Sequence, residues 1–337
     1  MRLDFDHAAG AHCGSTSLRD LSTYYGWGFD EPTCFGLGEG LGFSSVELPD
    51  SPHRAIFGRT GWLERAFFEN LGIDHTVHEG EEFATAWAAI KERIDGGDPV
   101  MVFTDLYYLD YYGTDTHFAP HSLLAVGYGT TEDGGEVVYL ADSEFGEIQR
   151  LPVGRLEEAM TSTHVVPLQC RYLTVDDAVV TTEFAAATRA AVEGTVATML
   201  DDREGRRDSK YFTGQGVGQI EAFAAELPEW QDLPGPDWTI RFAYQNIERR
   251  GTGGGAFRRL YAGFLAEAAA AGIVPGDVAA EMEGIADDWT ALGELLREAS
   301  ESRGRTRRDL LDDASERAFA VADRERALYR ELDSVLG

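Results

Sequence analysis

Lysine is nearly missing from this chain. Of 29 basic residues only Lys91 and Lys210 are lysines, against 59 Asp and Glu, and the net charge is −30. So acidic a surface excludes nucleic acid as a ready partner, because binding to phosphates draws on clustered Lys and Arg. Acidic residues run the whole length and no single block of like charge dominates, which makes an acidic docking face for a basic partner the weaker reading. Self-repulsion on this scale is relieved at molar salt, where the Debye length falls to about 3 Å. We therefore expect a salt-rich cytoplasm, as in a halophile. The expected result is a higher melting temperature in molar KCl than in dilute buffer, and equal melting in both would remove the salt interpretation.

Cysteine is scarce as well. Cys13, Cys34 and Cys170 are odd in number and lack CxxC spacing, which excludes a disulfide framework and a cysteine-built zinc site and leaves a free thiol with a role. His75 and His78 stand close together without accompanying ligands, so no metal is expected. Apolar runs long enough to cross a bilayer are missing, and MRLDFDHAAGAHC lacks the apolar stretch of a signal peptide. A cytoplasmic location without a membrane partner is the expectation. Core material is not lacking: 43% hydrophobic residues, with 18 Phe, 13 Tyr and 6 Trp, exclude disorder. A length of 337 residues suits two domains.

Periodicity separates an α/β half from a helical half. LRDLSTYYG sets Leu18, Leu21, Tyr24 and Tyr25 on one helical face and stops at Gly26. GWLERAFFENLG and EEFATAWAAIKERIDGG read as further amphipathic helices with glycine stops. PVMVFTD, HSLLAVGYG and GEVVYLADS read as strands, the last two joined by TTEDGG, whose Asp-Gly-Gly is hairpin turn chemistry. Beyond about residue 175 the β signal fades. FRRLYAGFLAEAAAAG, VAAEMEGIADDWTALGELLREAS and RDLLDDASERAFAVADRERALYRELDSVL predict a helical bundle. The expected fold is α+β, with a first domain over 1–172 and an all-α domain over 173–337.

The chemistry concentrates at Cys13. It opens the helix built on Leu18 and Leu21, where unpaired backbone N–H groups and the helix dipole favour a thiolate and can hold an oxyanion, with Gly14 supplying one such group. An arbitrary cysteine is more often a buried packing residue; a downstream base and its orienting acid reverse that preference. His121 begins one strand of the expected hairpin and Asp142 ends its neighbour, so antiparallel pairing brings imidazole and carboxylate together. The imidazole would take the thiol proton and return it to a leaving group, and the carboxylate would fix its tautomer. His117, in the loop before the strand, ranks second as base.

These segments carry a resemblance. HCGSTSLRDL at 12–21, FGLGEGLGF at 35–43, GDPVMVFTDLYYLDYY at 97–112 and HFAPHSLLAVGY at 117–128 with ADS at 141–143 resemble the butirosin biosynthesis protein H N-terminal family. NIERRGTGGGAFRRLYAGFLAEA at 246–268 is similar to the helical domain that commonly accompanies it. The resemblance implies a papain-like, cysteine-protease-type fold for 1–172. It also implies transfer of an acyl group from a carrier protein's phosphopantetheine thiol to an amine, through a Cys13 thioester. The acyl carrier protein and a small-molecule acceptor are the implied partners, and no cofactor is implied beyond the phosphopantetheine of the substrate. Related enzymes usually place a glutamine six residues before the cysteine as oxyanion donor; here that position is His7, so His7 and His12 both stand as candidates. A cysteine amidase or peptidase is the alternative activity, and a non-catalytic binding module is the third reading.

Two glycine-rich segments remain. FGLGEGLGF has no strand–turn–helix context, so it predicts no dinucleotide site; a turn bordering the active-site cleft and a tightly packed structural loop are its two readings, with Glu31 and Cys34 nearby. In ERRGTGGGAFRRLY, Gly253, Gly254 and Gly255 would expose N–H groups beside Arg258 and Arg259, a recipe for holding the phosphate of a substrate. Its bland reading, close helix packing with arginines paired to carboxylates, carries the larger share. The aromatic YLDYYG at 108–113 reads as core before cleft.

Overall fold

The computed structural model describes residues 1–200 and 214–337; Lys210 lies outside them. The chain gathers into two compact units, Met1–Glu31 with Gly72–Thr181, and Pro32–Leu71 with Thr182–Gly337. A border at 172/173 would cut the strand Tyr172–Asp177, and residues 32–71 group with the later helices. The sequence reading drew one border because strand and helix signals are local, whereas this grouping depends on partners far along the chain.

In the first unit six strands form one antiparallel sheet. Their order across it is Asp74–His78, Tyr172–Asp177, Val100–Thr104, His121–Thr130, Glu136–Ala141 and Gln149–Pro152. The turn after Thr130 closes as its residues demand: Thr131 N–H donates to the Gly135 carbonyl and Gly134 adopts φ 88°, a left-handed conformation that glycine takes without strain. Register follows, with Leu124 opposite Ala141, so Asp142 lies beside the first residues of the neighbouring strand. Apolar side chains fill the core: Trp87 and Ile90 from the helix Phe83–Gly96 meet Val102, Leu123, Leu140 and Leu156.

The first helix, Cys13–Tyr25, is bounded at both ends. The His12 side chain accepts from Ser15 N–H as the N-cap, and Gly26 at φ 76° returns its N–H to the last turn. Glu31 holds the approach to this helix. Its carboxylate accepts from the N–H groups of Ala11 and His12 and from the hydroxyls of Ser15 and Thr16. Gly10 is required there, because a Cβ would stand 2.0 Å from Thr16 Oγ1.

The second unit is helical with one hairpin, Leu41–Glu47 paired to Arg54–Arg59, contributed by residues 32–71; from Phe184 on, its described regular elements are all helical. Its helices are Leu63–Leu71, Phe184–Leu200, Val217–Glu226, Pro236–Glu248, Arg258–Ala270, Val278–Glu301 and Gly304–Leu336. FGLGEGLGF lies in this unit and runs from the end of the helix Glu31–Leu37 through a short turn into the strand Leu41–Glu47. A Cβ on Gly36 would meet the Phe264 ring at 1.9 Å, and one on Gly38 the Leu63 carbonyl at 2.6 Å, so close packing accounts for both glycines. Among the described residues, no helix is long and apolar enough to cross a membrane.

Candidate active site

Cys13, His121 and Asp142 are coupled: His121 bonds to Asp142, and Cys13 and His121 act on each other electrostatically. His121 Nε2 lies 3.1 Å from both Asp142 oxygens. With Nε2 on the carboxylate, Nδ1 is the ring nitrogen left over, and Cys13 and His121 each shift the other's pKa. All three side chains are buried. Burial pushes the Cys13 thiol up, but the neighbouring His12, and after it His121, reverse the effect and hold the thiol well below its usual value. Burial works against charge on His121 too; Asp142 first and Cys13 second outweigh it and push the imidazole up to about 10. Both directions favour a thiolate beside an imidazolium, the pairing that a nucleophilic thiol and an acid–base partner need.

Asp142 is held by two side chains that the sequence reading assigned to core. Tyr111 donates its hydroxyl to Asp142 Oδ2 at 2.8 Å and Tyr112 to Oδ1 at 2.9 Å. Burial raises the carboxyl, whereas His121 and then the two tyrosines more than offset this and keep it below the usual carboxylate range. Both phenols are themselves raised, by burial and then by Asp142, so they remain donors. Nothing in YLDYYG distinguishes an aromatic that donates to an acid from one that merely packs. The usable signal was position, a loop that leads straight into His121.

His7 does not serve as a free donor. Its Nδ1 lies 2.6 Å from Asp20 Oδ2, and its Nε2 donates to the carbonyls of Phe145 at 2.8 Å and Asp142 at 3.2 Å. Burial opposes its charge, but Asp20 and those carbonyls prevail and raise its pKa. His7 thus pins the turn that carries Asp142 to the first helix, with both nitrogens engaged. His117, the competing base, is bonded elsewhere: its Nδ1 donates to buried Asp105 at 2.7 Å, and its ring stacks on Tyr107 and His164. His12 stands directly at the thiol, with Nε2 3.8 Å from Cys13 Sγ.

The expected phosphate site is occupied by the protein's own groups. Arg258 is fully buried and spends its guanidinium on Glu325, through Nε at 2.9 Å and Nη2 at 3.0 Å, and on the carbonyls of Gly42, Gly58 and Ala256. Arg259 pairs with Glu283 and Asp287. Gly254 N–H donates to Thr252 Oγ1 and Gly255 N–H to Glu248 Oε1, so a carboxylate takes the anion's place. Gly253, at φ 67°, serves the turn. Gly254, Gly255, Arg258 and Arg259 thus bond to the protein's own carboxylates, carbonyls and hydroxyl, as the close-packing reading of this segment expects.

Residues 12–143 match the family described as butirosin biosynthesis protein H, N-terminal, and residues 154–332 match the one described as a domain of unknown function, DUF4872. No curated protein matches the chain.

Proposed function

This chain belongs to the DUF4872 family of domains of unknown function and carries a butirosin biosynthesis protein H N-terminal segment ahead of it, and from that premise we propose that it transfers acyl groups through a Cys13 thioester. The observation that carries the reading is one sulfur at the mouth of a helix, in reach of an imidazole whose other nitrogen rests on a buried carboxylate. A papain-like enzyme uses this arrangement of helix-borne thiol and strand-borne histidine. The match of residues 12–143 to the family described as butirosin biosynthesis protein H, N-terminal, supports a role in biosynthesis.

In this reading the Cys13 thiolate attacks the carbonyl carbon of an acyl thioester, the donor being the phosphopantetheine arm of an acyl carrier protein. His121 then gives its Nδ1 proton to the departing thiol. It takes a proton back from the incoming amine, which attacks the Cys13 thioester and leaves with the acyl group. Asp142 keeps the imidazole in the correct tautomer throughout. The chain needs no cofactor of its own for these steps.

Incubation with acyl thioesters of N-acetylcysteamine, followed by intact-mass measurement, tests this directly. The expected result is one acyl mass added to Cys13, discharged on addition of a primary amine and absent from Cys13→Ala. Labelling of Cys13→Ala to the same extent, or no labelling of the native protein, would overturn the proposal.

A further inference from the structure

We infer that His12 is a catalytic residue, the side-chain donor that binds the oxyanion formed when Cys13 attacks a carbonyl. The inference rests on the acyl-transfer reading above and supplies the group that His7, locked between Asp20 and two carbonyls, does not.

The ring's bonding carries the case. His12 Nδ1 accepts the backbone N–H of Ser15 at 3.3 Å as the cap of the first helix. Ser15 Oγ also lies 3.3 Å from Nδ1, but the Ser15 N–H is aimed at that nitrogen, so we assign the ring's hydrogen to Nε2, the nitrogen 3.8 Å from Cys13 Sγ. The helix cap therefore fixes the tautomer that aims an N–H at the reacting sulfur. The two imidazoles at that sulfur are not equivalent: His121 leans on a carboxylate and carries the mobile proton, whereas His12 leans on a peptide N–H and offers a fixed donor. His12 is only 4% exposed, and Glu31 clamps its backbone N–H at 2.9 Å, so the donor needs no reorganisation during the reaction. Such preorganisation is what makes an oxyanion hole effective. Cys13 and Gly14 open the same helix, where backbone N–H groups have no intrahelical partners.

The step balances. A bond forms between Cys13 Sγ and the carbonyl carbon, and the carbonyl π pair moves to oxygen. His12 Nε2–H shifts its hydrogen bond from sulfur, now neutral, to that oxygen without transferring the proton. Collapse re-forms the carbonyl, breaks the bond to the leaving group, and sends the His121 proton to the departing atom.

Two probes separate this role from simple stabilisation of the thiolate. p-Nitrophenyl acetate acylates Cys13 through a tetrahedral oxyanion. Iodoacetamide alkylates the same sulfur by displacement at a saturated carbon and makes none. The variant is His12→Asn, whose side-chain oxygen can still cap Ser15 while its amide falls short of the sulfur. Measured at a pH where the thiol is ionised in both proteins, acylation is expected to fall about 10²–10³-fold while alkylation stays within about threefold. His12→Gln, whose longer side chain returns an N–H toward the sulfur, is expected to regain part of the loss.

Equal falls in both reactions would make His12 a structural cap and overturn the inference, as would an unchanged acylation rate. Failure of the acyl-transfer reading shows differently: the thioesters leave Cys13 unlabelled, while the ratio of the two probe reactions still reports on His12.

Discussion

His121→Ala is expected to slow acylation of Cys13 at neutral pH by about 10²–10⁴-fold, the range that a positioned acid–base group contributes. Two effects combine. The thiol loses one of the two neighbours that depress its pKa, so less of it is ionised, and the leaving group loses its proton donor. Only the first can be reversed by base. Raising the pH should therefore recover part of the rate in His121→Ala as hydroxide ionises the sulfur, whereas the rate of the native protein should decline as His121 titrates near 10. The sign follows from the charges: the imidazolium's pKa is raised above 6.5, so its proton is held below that value and lost only as pH climbs through the raised one. Asp142→Asn tests the same logic from the other side. An amide oxygen can still accept from Nε2, as in Cys-His-Asn enzymes, but it brings no charge. The alkaline limb should move to lower pH, with a smaller loss at neutral pH than in His121→Ala. A pH–rate profile of p-nitrophenyl acetate acylation checks all three proteins, and an alkaline limb unmoved by Asp142→Asn would show that the carboxylate does not set it.

Local rules made part of this site legible. A two-strand hairpin with Asp-Gly-Gly turn chemistry sets its own register, so the closeness of His121 and Asp142 follows from roughly twenty consecutive residues. The placement of Cys13 at a helix start follows from a similarly short span, with Gly26 as the stop. The residues around them were legible only in kind. Tyr111 and Tyr112 read as core because an aromatic's hydroxyl partner is invisible until the loop is folded. His7 and His12 looked alike as donors, and only their partners separate them: a carboxylate and two carbonyls for one, a helix-capping N–H and a sulfur for the other. Residues 32–71 looked contiguous with the first unit because nothing in their own periodicity names the helices, more than a hundred residues onward, that cover them.

Arg258 shows the limit most plainly, and it yields the second large effect. In sequence it is one of several arginines beside a glycine run. In the folded second unit it is fully buried against a fully buried Glu325, which also accepts from Trp289 Nε1 at 2.7 Å. Replacing Arg258 by methionine leaves that carboxylate without its countercharge, and breaking a buried pair in this way costs about 3–5 kcal/mol. A fall of that size in unfolding free energy, read from urea titration, is the expected result, and a loss below about 1 kcal/mol would remove the pair from the account of stability. Adding Glu325→Gln to Arg258→Met should recover most of the loss, because the amide oxygen still accepts from Trp289 while carrying no charge to bury. Adding Glu325→Leu should recover less, since the Trp289 N–H is then orphaned at about 1–3 kcal/mol. Molar KCl discriminates further. Screening acts on the exposed carboxylates that dominate the net charge and scarcely reaches a pair closed off from solvent, so the penalty of Arg258→Met should be the same in dilute buffer and in high salt even as the native protein's own stability rises.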